Sequence, residues 1–125
     1  MSAEPKLGKP GAGLPKIELV LARFFFRLFR RTASMRKLRL KLASERRLIE
    51  HLLKGIPIEL RSKQVLIPRI MGIEDSSRNW SVAMVLEHLV ITTDGMLGIS
   101  DSLIAGRLPE RVVRIEDVKP RVDVP

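Results

Sequence analysis

The chain has 125 residues, 45% of them hydrophobic, enough for one small domain with a modest core and tails. It contains no Cys, which excludes a disulfide scaffold and a thiolate metal site and leaves His51, His88 and carboxylates as metal donors. The formal charge of +9 is uneven: residues 1–54 carry 14 Lys/Arg against 4 Asp/Glu, and the remainder 9 against 10. Such clustered basicity points to nucleic acid or an anionic membrane surface as a partner, or more plainly to a solvated helix face.

Residues 1–15 hold three Pro and three Gly, a composition that opposes helix and strand and reads as a flexible leader without chemistry. Met1–Lys16 lacks the apolar core and cleavage site of a secretory signal, so a cytoplasmic location is expected. Residues 16–33 read as a basic amphipathic helix. Lys16, Arg23, Arg27, Arg30 and Arg31 share one sector, and Leu21, Phe24, Phe25, Leu28 and Phe29 lie mainly opposite. That face must dock on the domain, pair with another chain or insert into a lipid interface. Ile17–Phe29 is the most apolar stretch, but it spans 13 residues and includes Glu18, Arg23 and Arg27. A bilayer needs about 20 apolar residues, so no transmembrane span is expected.

Ser34 is a candidate cap for a second helix over 34–54, with Met35, Leu38, Leu42, Ile49, Leu52 and Leu53 as its apolar stripe. Gly55, through a left-handed conformation, and Pro57 are expected to stop it. Residues 56–78 form a connector in which Val65–Ile67 is either a helical turn or an extended piece. A third helix is expected to begin near Asn79 as its N-cap and to run toward Leu103, with Gly95 and Gly98 weakening its middle and Gly106 and Pro109 ending it. The tail, residues 109–125, reads as an extended arm with a strand-like Val112–Ile115 segment. No internal repeat and no Gly-rich phosphate loop is present.

The run Asn79-Trp-Ser-Val-Ala-Met-Val-Leu-Glu-His-Leu (79–89) resembles the opening of the second helix in DinB-like proteins, where a Trp-Ser step precedes an apolar helix bearing a His-Leu pair. The preceding helix and irregular connector, and the following Gly106-Arg-Leu-Pro109 stop, fit the same pattern. The likeness covers about 75 residues, 34–108, and implies an all-α fold: a partial up-down bundle, the first half of a DinB-like four-helix bundle, preceded here by an extra amphipathic helix. It implies a divalent metal site, zinc or nickel, with His88 as one of three His ligands. The other two belong to the family's C-terminal half, and residues 109–125 contain no His. His51 lies outside the motif and reads as a solvent-edge or core residue.

Independently of the family, Trp80 offers a large aromatic face to lock the connector, Ser81 can satisfy a first-turn backbone donor, and His88, eight residues on, falls near the face of Trp80. The resemblance implies a DinB-like domain protein of undefined activity, shortened or self-associating. Its metal site is expected to be incomplete and weak or absent in this chain alone. The implied partner is a homo-oligomeric copy or a missing C-terminal half. Intact members of the family include metal-dependent thiol transferases, but no nucleophile and base are paired here, and Glu87 and His88 diverge as helix neighbours. The alternative is a basic adaptor that binds nucleic acid or anionic membrane non-specifically through residues 16–54.

Overall fold

The computed structural model describes residues 6–109 and 118–120, and among them the protein is all-helical: three α-helices, two short 3-10 turns and no strand. The helices are α1 (Lys16–Thr32), α2 (Met35–Lys54) and α3 (Val82–Ile104); the 3-10 turns are Ile58–Leu60 and Asp75–Asn79. The chain divides into two compact units. One is Leu14–Leu60; the other takes in the described residues of 1–13 and 61–125. This division does not follow the expected 34–108 grouping, because α2 falls with α1 and the leader falls with the connector and α3. The strand-like Val112–Ile115 segment lies outside the described residues.

In the Leu14–Leu60 unit, α1 follows Pro15, whose carbonyl accepts from Leu19 N–H (3.0 Å), so the ring sits where no intrahelical N–H is needed. Glu18 in the first turn and Arg30 and Arg31 in the last oppose the helix dipole favourably. Ser34 caps α2 as expected, its Oγ accepting from Lys37 N–H (3.3 Å). Gly55 departs from expectation: its φ is −80°, in the right-handed region, and the end of α2 is closed instead by Gly55 and Ile56 N–H groups turning back to Leu52 and Leu53 carbonyls. Two exposed i,i+4 pairs, Lys41–Glu45 (2.8 Å) and Arg46–Glu50 (2.9 Å), add about 0.3–0.5 kcal/mol each. Neither helix contains a buried residue, and the two do not pack along one another. No bundle layer forms within this unit.

In the other unit, α3 begins two residues later than expected. Asn79 closes the 3-10 turn, and the N-cap is Ser81, whose Oγ accepts from Met84 N–H (3.1 Å). The helix runs unbroken through Gly95 and Gly98 and stops at Gly106, where φ is +69°. The left-handed stop expected at Gly55 is thus found at Gly106. Val82, Leu89, Met96 and Leu103 recur every seven residues along α3, and Glu87, Asp94 and Asp101 recur every seven residues on another face. The most apolar helix is α3 and not the Ile17–Phe29 stretch, and by length and composition α3 is apolar enough to cross a membrane. Against that stands Asp94 at mid-helix, since an Asp at the bilayer centre costs about 2.5–3.5 kcal/mol, comparable to the gain from several Leu or Val residues at about 0.3–0.6 each.

Candidate functional site

Of the three buried residues among those described, Ser81, Met84 and Pro120, the first two lie where the connector meets the start of α3. Ser81 is 2% exposed and Met84 4% exposed, while every other large apolar side chain on α3 is partly or largely open. The connector is held here by backbone bonds. Ala83 N–H donates to Arg61 carbonyl (2.9 Å), Ile67 N–H to Arg78 carbonyl (3.0 Å), and Arg78 Nε returns to Ile67 carbonyl (2.9 Å). Gln64 Nε2 lies 3.6 Å from Met84 Sδ. Val65–Ile67 forms no helical turn and is pinned at Ile67.

Trp80, immediately before the cap, packs on His88 two turns into the helix, with ring centroids 5.1 Å apart and planes at 57°. His88 Nδ1 is enclosed and has no hydrogen-bond partner. The His88 carbonyl accepts from Thr92 Oγ1 (2.7 Å). Lys119, on the tail, holds its Nζ 5.9 Å from the Trp80 ring centroid and 2.8 Å from Glu74 Oε2. The cation over the ring and the ring over the imidazole make a short stack closed by a carboxylate.

Glu74 and Asp75 also hold the leader. Gly13 N–H donates to Glu74 Oε1 (3.2 Å) and Gly8 N–H to Asp75 Oδ2 (2.6 Å), while Arg78 Nη1 donates to Asp75 Oδ1 (2.7 Å). Residues 6–13 are thus docked, which corrects the expectation of a flexible leader for that part of it. Burial pushes the Glu74 carboxyl upward, but the Lys119 ammonium and the Gly13 N–H outweigh it and hold the pKa below its ordinary value. The Arg78 guanidinium, followed by the Gly8 N–H, holds Asp75 below the ordinary carboxylate range.

His51 is exposed on α2. Among the described residues no three of His, Asp or Glu come together as a metal group. His88 fits a metal site in one respect, an enclosed ring nitrogen without a hydrogen-bond partner, and fails in the other, since one imidazole cannot complete a shell. A depression of about 370 Å³ lies at the far end of α3, lined by Gly95, Gly98, Ile99, Ser102, Arg107, Leu108 and Pro109. Its Ser102 hydroxyl already donates to Gly98 carbonyl (2.9 Å), so it offers no free nucleophile. Lys119 and the leader glycines were not legible as site residues: 45 positions separate Lys119 from Glu74, and no motif links them.

No protein-family model, curated protein or solved structure matches the chain.

Proposed function

We propose that the chain is a DinB-like half-domain that acts by association, burying the α3 seam against a second copy, and that it is not an enzyme on its own. The observation that carries this reading is the open seam. The connector covers the Ser81–Met84 side of α3, whereas Leu89, Met96 and Leu103, at seven-residue spacing, are 43%, 58% and 55% exposed. A soluble helix with a continuous apolar stripe has a large drive to cover it, since full burial of each such side chain is worth about 1.5–3 kcal/mol. A two-fold pairing of like seams satisfies that drive and leaves Glu87, Asp94 and Asp101 toward water.

His88 belongs to this reading as one donor of an incomplete divalent-metal site. Its nitrogen is enclosed beside Trp80, away from the seam, so pairing through the seam does not bring two His88 rings together. Zinc or nickel binding is accordingly weak, and the residue's larger role is to seat Trp80 over the start of α3. The test is calorimetric titration of zinc and nickel into wild type and His88→Ala, with mass followed by light scattering. Weak metal binding by an associated wild type supports the proposal. Tight one-to-one binding by a monomer, or binding that His88→Ala leaves unchanged, refutes it.

A further inference from the structure

We infer that α1 binds the surface of an anionic lipid bilayer, lying in the membrane plane with its Phe face sunk to the acyl boundary and its arginines at the headgroup phosphates. This surface is separate from the α3 seam and does not depend on it. Four Phe residues stand between positions 24 and 29, and Phe24, Phe25 and Phe26 are 61%, 62% and 63% exposed. At about 100° per residue, Phe25 points opposite the mean direction of Lys16, Arg23, Arg27 and Arg30. Glu18 sits at the start of the apolar side, so the deepest insertion runs from Leu21 to Phe29.

Charge decides which partner covers this face. The helix carries five Lys/Arg and one Glu. Pairing two copies of α1 through their Phe faces would bring two strongly cationic helices together, which their mutual repulsion opposes. A nucleic acid would take the arginines and leave the Phe face in water. An anionic bilayer takes both faces of the same helix, because phosphates meet the cations while the apolar side leaves water. The helix cannot instead cross the bilayer, since its charges recur along its whole length and it is shorter than a span requires.

The test uses the full chain with sedimented vesicles of phosphatidylcholine alone or with about 30% phosphatidylserine. The variants are Phe24→Gln with Phe25→Gln, and separately Arg23→Gln with Arg27→Gln. None of these side chains is buried, so circular dichroism is expected to stay at the wild-type level. The expected result is binding about tenfold or more tighter to the phosphatidylserine vesicles. The Phe pair should lose about tenfold on those vesicles, and the Arg pair should lose the preference for them. Equal or absent binding to the two vesicle types overturns the inference. So does binding that survives the Phe substitutions, or tighter binding to a DNA duplex that ignores them, since either result assigns the helix to charge alone. A wild-type dimer that the Phe pair dissociates without lipid would give the face to a second copy and overturn it as well.

Discussion

At the scale of single residues, the start of α3 depends on a hydroxyl. Ser81 is enclosed and bonds Met84 N–H at 3.1 Å, whereas Ser34 does the same job for α2 in the open at 3.3 Å. Loss of a cap costs about 0.5–2 kcal/mol, and an enclosed N–H has no water to replace it. Ser81→Ala is expected near the upper end of that range in urea unfolding and Ser34→Ala near the lower; equal costs would show that enclosure does not matter. The two helix-ending glycines make a second contrast. Gly106 holds φ +69° with nothing near a would-be Cβ, so Gly106→Ala costs about 1–2 kcal/mol from backbone strain alone. Gly55 sits at φ −80° with its nearest neighbour at an ordinary 3.5 Å, so Gly55→Ala is neutral or stabilising by up to about 1 kcal/mol. Ser34 was legible as a cap because capping chemistry is local, whereas Ser81 was read only as a partner for a first-turn donor and the cap itself was placed two residues early, at Asn79. The glycines were legible only as stops, since which one turns left-handed depends on where the following chain must go.

At the scale of elements, the leader is held to the Asp75–Asn79 turn by two carboxylates. Both are more acidic in the fold than their ordinary values of 4.5 for Glu74 and 3.8 for Asp75. A depressed carboxylate stabilises the fold above its unfolded value, and that contribution is lost as pH falls through the folded one. The amide resonances of Gly8 and Gly13 are therefore expected to titrate with midpoints below 3.8 and 4.5 respectively, with the leader released at the acid end. Midpoints at the ordinary values would mean that these bonds do not form in solution. The helices themselves were legible from periodicity, to within two or three residues at their ends. Docking of residues 6–13 was not, because Gly and Pro composition reports what backbone a segment cannot adopt and is silent on which distant acceptor its N–H groups will find.

At the scale of the whole molecule, the sequence suggested a bundle and only its all-helical character is present. An apolar stripe records that a face needs covering, not what covers it, so the stripe of α2 and the seam of α3 look alike on paper. If the α3 seam pairs two copies, Leu89→Asp together with Met96→Lys places four changed side chains in one two-fold interface, and light scattering should show dissociation constants raised by about a hundredfold or more. Unchanged mass across the concentration range would assign the seam elsewhere. The Trp80–His88 contact was expected from their spacing, but eight residues on a helix turn by about 80°, and Trp80 stands before the cap in extended backbone, so the connector and not the helix period brings the two rings together.

One carboxylate, Glu74, takes both Gly13 N–H and Lys119 Nζ, from segments more than a hundred positions apart. The two segments therefore exert reciprocal cooperativity through a single shared acceptor. Lys119→Met removes the largest of the effects that offset the burial of Glu74 and raises its proton affinity, so the leader lets go at a higher pH than in wild type. By the same thermodynamic cycle, deleting the leader loosens the grip of Lys119 by an equal free energy, and an event at either segment is felt at the other without any movement of the helices.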